Sequence, residues 1–254
     1  MSDRNQTSEL EIIAHRGYSA IAPENTLPAF ARAIVAGADS IELDVQLSAD
    51  GIPMVFHDIT LERIAGIPDR LDDLTREQLA RFDVGTWFDP QFSDARIPTL
   101  AEVLDILQSL KKSIYLDVKP HCTWSNEDID RLLELLDDRG GLARYVICSF
   151  SSAFLDRTRF VSEAVKLGYS IKNNQTYPPQ FARAVADGNS VTICEYRVFL
   201  ENPALVAASR DRGVEPVVWT VDDLRDWHQL IDIGFRRIIT NALLPTALDR
   251  KSIH

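Results

Sequence analysis

The sequence predicts an α/β chain in which eight strand–helix units close into a parallel barrel. Short apolar strands alternate with helical stretches of ten or more residues, which implies a parallel sheet with helical crossovers. Eight such units fit within 254 residues, the size of one (β/α)8 barrel. An open doubly wound sheet is the alternative. That fold usually carries a glycine-rich turn after its first strand, and no G-x-G-x-x-G occurs. Residues 11–254 read as one barrel domain behind a flexible N-terminal tail, residues 1–10.

Strand one covers residues 11–15, with Ile13 and His15 on one face and Ile12 and Ala14 on the other. Gly17 ends it. A helix follows, with Asn25 or Thr26 as cap and Pro28 in its first turn, where a missing N–H costs little. Leu27, Phe30 and Ile34 form its apolar stripe, and Gly37 stops it. Strand two, SIELDVQL, covers 40–47: Ile41, Leu43, Val45 and Leu47 point one way, Glu42, Asp44 and Gln46 the other. A turn at 48–51 sends the chain back through IPMVFHD, which ends in His57 and Asp58.

The alternation then breaks over about 60–98, a polar stretch with short helical hints and loop signals at Gly66, Pro68, Gly85 and Pro90. It reads as a small insertion after strand two, a lid or flank, because long segments of this kind in compact domains are usually functional. Trp87, Phe88 and Phe92 read as its anchors. Thr99 caps the next helix, and strand three, SIYLDVKP, puts Tyr115, Asp117 and Lys119 on one face. A helix ended by Gly140 leads to strand four at 144–150. The following helix is expected to span 151–168, with a short strand five at 169–173. Strands six, seven and eight fall at 190–196, 214–221 and 236–241, and a last helix at 243–251.

A net charge of −11 argues against non-specific nucleic-acid binding and weakly against docking on anionic membranes. An anionic substrate stays compatible, because a local cluster of Arg and Lys or a metal can reverse the field inside a cleft. Cys122, Cys148 and Cys194 are scattered and contain no C-x-x-C pair, which suits reduced thiols. The polar start MSDRNQTSEL is no signal peptide, and no apolar run is long enough for stable membrane insertion. The expectation is a soluble cytoplasmic protein; monomer and homo-oligomer are both left open.

Inward residues near the C-terminal ends of barrel strands line active sites. His15, Glu42, Asp44, Asp117 and Lys119 fall there, with His57 just past the hairpin after strand two. Three carboxylates side by side cannot all stay ionised without a cation. An oxygen-only trio suits the divalent cations Mg²⁺ or Ca²⁺. Two flanking histidines suit acid–base work, one activating an attacking oxygen and the other protonating a leaving alkoxide. Arg16 and Lys119 can hold a phosphate, Arg as a fork and Lys as a point charge. Together these suggest phosphodiester cleavage with a metal as Lewis acid and template. Plainer roles compete: buried hydrogen-bonded histidines, Glu42 and Asp44 paired with Arg16 and Lys119, or Asp117 paired with Lys119. Trp219 reads as wall or substrate contact. Glu24 reads as a helix-start group or a support for the site, and His121 and His228 as surface residues.

The blocks AHRG, PENT, ELDV with its DGIPMVFHD return, LDVK, Ser149-Phe150, Trp219-Thr220-Val221 and IITN resemble the glycerophosphodiester phosphodiesterase family. The resemblance runs from residue 12 to about 245. It implies a TIM barrel with an insertion after strand two, a divalent cation on Glu42, Asp44 and Asp117, and acid–base catalysis by His15 and His57. The implied reaction releases sn-glycerol 3-phosphate and an alcohol from a small glycerophosphodiester. Two features depart from the family. Asp117 stands where Glu is commoner, so the metal must sit closer to strand three or be bridged by water. GFRRIITN replaces a G-V-D-G-I-I-T-D pattern, and Arg236 and Arg237 read as surface charges far from the site. Competing functions are a lysophospholipase D acting on lipid-tailed diesters, a two-carboxylate glycosidase, and a barrel that binds a phosphodiester without cleaving it.

Overall fold

Side chains alternate across a strand, so each barrel strand sends one set of residues to the axis and the other outward to the helices. A computed structural model describes residues 10–243. Its strands are β1 Glu11–His15, β2 Ser40–Leu47, β3 Pro53–Val55, β4 Ile114–Val118, β5 Tyr145–Ser149, β6 Lys166–Ile171, β7 Ser190–Glu195, β8 Glu215–Trp219 and β9 Arg237–Thr240. All but β3 pair in parallel, and β1 pairs with both β2 and β9, which closes an eight-stranded barrel. β3 pairs antiparallel to β2 outside that ring. The expected tail lies outside the described residues except for Leu10, and the expected last helix except for Leu243.

The predicted faces hold. Ile13, Tyr115, Val146, Cys148, Val191, Ile193, Val217 and Ile239 fill the axis as one apolar cluster. Ile12, Ala14, Ile41, Leu43, Val45, Ile114, Leu116 and Val118 pack outward under the helices. At the N-terminal end Glu11 is buried but neutralised: Arg237 Nε lies 3.1 Å from its carboxylate, and Ser40 and Tyr115 donate to it. Arg237 thus works as a structural counter-charge at the end of the barrel opposite the polar cluster.

Helix starts follow the sequence. Thr26 caps the helix Leu27–Val35. Thr99 and Glu102 form a capping box at Leu100–Ile106, and Ser125 and Asp128 another at Asn126–Asp137. Segment 60–98 is an insertion, made of short helices such as Glu62–Ala65 and Arg76–Leu79. Its core of Leu61, Ile64, Leu71, Leu79, Val84, Phe92, Ala95 and Ile97 is shared with Ala22, Ala29, Met54 and Phe56 of the barrel. Phe92 and Phe88 anchor it, whereas Trp87 stays half exposed.

One boundary differs from expectation. The helix expected over 151–168 ends at Val161, and β6 begins at Lys166. Gly168 does not stop a helix; it is a strand residue facing the axis. A Cβ there would lie 2.5 Å from Cys148 Sγ and 3.0 Å from Ile193 Cγ1. Glycine makes room for its neighbours on β5 and β7.

Gly168→Ala is therefore expected to cost about 1–3 kcal/mol by overpacking. Denaturant unfolding of Gly168→Ala, Cys148→Ala and the double variant measures it. Removing the sulfur should lessen the effect of the new methyl, giving a non-additive cycle.

Candidate active site

Strand register builds the polar cluster. β1 and β2 set His15 opposite Glu42, and β2 and β4 set Asp44 opposite Asp117. All four side chains point into one pocket at the C-terminal mouth, lined also by Arg16, His57, Lys119, Phe150, Ser170 and Trp219. The six groups expected to converge do so.

Glu42, Asp44 and Asp117 each offer an oxygen within 4.8 Å of the other two. Lys119 Nζ lies 2.5 Å from Asp44 Oδ1 and 2.5 Å from Asp117 Oδ2. Arg16 Nε lies 3.1 Å from Asp44 Oδ2, while its Nη1 donates to Glu24. Asn25 Nδ2 also donates to Asp44 Oδ2, at 2.6 Å. Burial pushes Asp44 up, but Lys119 and then Arg16 outweigh it and hold the carboxyl well below its ordinary range. Glu42 is pushed the other way, by burial and by the charges of Asp44 and Asp117. Burial alone would lower Lys119, but the two aspartates hold it above its ordinary value. Asp117 Oδ1 is buried without a hydrogen-bond partner. An orphaned carboxylate oxygen beside two more carboxylates is a donor set that fits a hard divalent cation.

The plainer pairings are thus present, since Lys119 joins Asp44 and Asp117 and Arg16 joins Asp44. They leave Glu42 and Asp117 Oδ1 without a cation of their own.

The chain must reverse sharply to bring Arg16 and Asn25 here. Gly17 has φ +81°, and a Cβ on it would meet Ala29 at 2.7 Å. Arg16 and Asn25 take positive φ of 55° and 57°.

Each histidine has its Nδ1 engaged. His15 Nδ1 lies 2.7 Å from Asn241 Oδ1, and its Nε2 lies 3.8 Å from Glu42 Oε2. Burial, then the charge of Arg16, lowers His15 to about 4. His57 Nδ1 lies 2.6 Å from Asp58 Oδ1. Gln46 Nε2 holds that segment by donating to Phe56 O and Asp58 O, both at 2.8 Å. Arg63 of the insertion binds Asp58 and Glu24 together, with Nε 2.6 Å from Asp58 Oδ2 and Nη2 2.7 Å from Glu24 Oε1. Glu24 therefore links Arg16 to the insertion rather than serving the helix start.

His121 is not a free surface residue: it is half-buried, with Nε2 2.7 Å from Gln46 Oε1. His228 is exposed as expected. Trp219 lines the pocket, its indole N–H donating to Ile193 O at 3.1 Å and its ring edge-on to Phe150. Sequence reading missed Asn25, Asp58, Arg63 and Asn241. Asn25 and Asp58 lay within the quoted PENT and FHD blocks, and Asn241 ended IITN. Nothing local marked Arg63.

Among the described residues, no helix is long and apolar enough to cross a membrane. A family model described as the glycerophosphoryl diester phosphodiesterase family matches residues 15–244. A glycerophosphodiester phosphodiesterase of Caldanaerobacter subterraneus subsp. tengcongensis is 31% identical over 230 residues, 91% of this chain and 93% of that protein. An Oleispira antarctica phosphodiesterase, solved in complex with the product sn-glycerol-3-phosphate, superposes with TM-score 0.83 and 25% identity. That match covers 91% of this chain and 93% of the other. A glycerophosphodiester phosphodiesterase from Thermotoga maritima gives TM-score 0.74 at 28% identity, over 92% and 95% of the two chains.

Removing the ammonium shared by buried Asp44 and partly buried Asp117 leaves Asp44 with Arg16 as its counter-charge and Asp117 with none beside it. Lys119→Met is expected to destabilise the metal-free protein by about 3–5 kcal/mol, read by chemical denaturation. Added Mg²⁺ or Ca²⁺ should recover part of the loss.

Proposed function

The chain belongs to the glycerophosphoryl diester phosphodiesterase family, and from that premise we propose the details of its reaction. It is a phosphoric diester hydrolase that takes small glycerophosphodiesters to sn-glycerol 3-phosphate and an alcohol. Glu42, Asp44 and Asp117 would hold a divalent cation, Mg²⁺ or Ca²⁺. The observation that carries this reading is the orphaned Asp117 Oδ1 within the carboxylate trio, with two histidines at the same mouth. Held there, the cation would neutralise the carboxylates and supply Lewis-acid polarisation of the phosphate.

His15 is the base. Its Nδ1 is occupied by Asn241, so Nε2 takes the proton of the attacking hydroxyl or water. His57 is the acid and protonates the leaving oxygen from its own Nε2. Asp58 offers an imidazolium a counter-charge, whereas Asn241 offers His15 none. Arg16 and Lys119 set a positive field for the phosphate, and Trp219 walls the pocket. Free thiols at Cys122, Cys148 and Cys194 support a cytoplasmic location.

The test is metal-stripped enzyme given one cation at a time and assayed for glycerol 3-phosphate release over a panel of head groups. Activity should vanish in EDTA and return with Mg²⁺ or Ca²⁺; full activity in excess chelator contradicts the reading. His15→Ala and His57→Ala should each lower kcat by about 10²–10⁴-fold with the fold retained. A base held near 4 is protonated only below that, so the acid limb of kcat/KM should lie nearer 4 than the ordinary 6.5.

One observation favours a second reading, a lysophospholipase D. Phe150 lines the pocket yet is 37% exposed, and Ile59 and Trp87 in and beside the insertion are each 43% exposed. Those residues could receive an acyl chain. Comparing glycerophosphocholine with a lysolipid separates the two; the small diester is expected to have the higher kcat/KM.

A further inference from the structure

The geometry points to Asp222, on the loop after β8, as a positioning residue that sets the tautomer of His15 through the side-chain amide of Asn241. The inference rests on the reading of His15 as the base and extends it to two residues.

Three donors converge on the Asp222 carboxylate. Oδ1 accepts from Asn241 N at 2.8 Å and from Thr240 Oγ1 at 3.0 Å, and Oδ2 accepts from Asn241 Nδ2 at 2.6 Å. An ionised carboxylate can only accept. The atom of Asn241 that faces Asp222 must therefore be the amide nitrogen, and the amide oxygen must face the other way. There it meets two donors, Ser19 Oγ at 2.8 Å and His15 Nδ1 at 2.7 Å. An amide oxygen cannot donate, so the proton of neutral His15 has to sit on Nδ1. Nε2 is left with its lone pair in the pocket. Glu42 Oε2 lies 3.8 Å from it, too far for a hydrogen bond that would demand a proton on Nε2.

Asn241 without Asp222 is ambiguous. Its two amide ends have almost the same shape, and turning them over would offer an NH₂ to His15 Nδ1. That nitrogen would then have to accept, the proton would move to Nε2, and the ring could no longer take a proton from the attacking oxygen. The carboxylate removes the ambiguity from outside the pocket, one residue removed from the imidazole. Ser19 does not substitute for it, because its single hydroxyl proton is shared between Asn241 Oδ1 and His15 O.

The experiment uses the full chain with ¹⁵N-labelled histidine, loaded with Mg²⁺ and held at about pH 8, where histidine is neutral. The chain has five histidines, and the spectrum of His15→Gln identifies the His15 signals. Wild type should show a protonated, pyrrole-type Nδ1 and a bare, pyridine-type Nε2. Asp222→Ala should populate the opposite tautomer and lower kcat about ten- to a hundredfold with KM nearly unchanged. Asp222→Asn, a milder change whose amide can also turn over, should do the same and serves if the alanine variant does not fold. The double variant Asp222→Asn/Asn241→Asp puts a carboxylate against His15 Nδ1 and an amide behind it. It should restore the Nδ1–H tautomer, because a carboxylate, like the amide oxygen, can only accept from the ring. A wild-type proton on Nε2 overturns the inference, as does a folded Asp222 variant with wild-type tautomer and kcat, or a double variant that stays in the wrong tautomer. Absence of glycerophosphodiester cleavage by wild type would count against the proposed function alone, since the ring spectra still read the link from Asp222 to His15.

Discussion

Asp44 and Asp117 stand directly opposite each other on neighbouring strands, and Glu42 faces the same mouth one inward position earlier on β2. Like charges so placed repel, and in a buried setting the repulsion is hardly screened. The rest of the mouth is arranged around that repulsion. Lys119 places one ammonium between the two aspartates, and Arg16 and Asn25 come to the far oxygen of Asp44. Arg16 is shared with Glu24, so its charge is not wholly spent on the trio. The local balance stays short of positive charge, and the shortfall falls on Glu42, which burial and its two neighbours push towards the neutral form. A group strained in this way, next to an unpartnered oxygen of Asp117, is what a divalent cation relieves.

That electrostatic arrangement explains why the insertion is braced so firmly. Its apolar core is continuous with Met54 and Phe56, which lead into His57, and with Ala29 of the first helix. Arg63 then ties Asp58 to Glu24, joining the partner of His57 to the partner of Arg16. Arg63 is 45% exposed, so each ion pair by itself contributes little. The value lies in geometry: one planar guanidinium fixes two carboxylates that each orient a residue at the mouth. The insertion is better described as a buttress for His57 than as a lid.

Strand alternation was legible because it depends only on burial of every second residue. It put Glu42, Asp44, Asp117 and Lys119 on inward faces before any coordinates, and parallel register did the rest. Gly168 misled because glycine has two uses. As a helix stop it would need positive φ, but here it is a strand residue whose missing side chain admits Cys148. Asn25, Arg63 and Asn241 were illegible for another reason. Their partners lie 19, 39 and 226 residues away, joined by chain reversals and barrel closure that no local period encodes. His121 looked like a surface residue because its partner, Gln46, sits 75 residues earlier on the face of β2 that also carries the carboxylates.

The two histidines are chemically the same ring, and their neighbours make them different. His57 sets its Nδ1 against a carboxylate, which is itself held by Arg63. His15 gives its Nδ1 to an amide, which orients the ring without adding charge, while burial and Arg16 disfavour its protonated form. The proposed division into a base and an acid rests on that difference in neighbours. The division depends on which side chain sits behind each imidazole, and those side chains come from opposite ends of the barrel circuit. Asp58 follows β3, and Asn241 follows β9, the strand that closes the ring onto β1. Closure of the barrel is therefore part of the chemistry: without the β1–β9 pairing, nothing would bring Asn241 to His15.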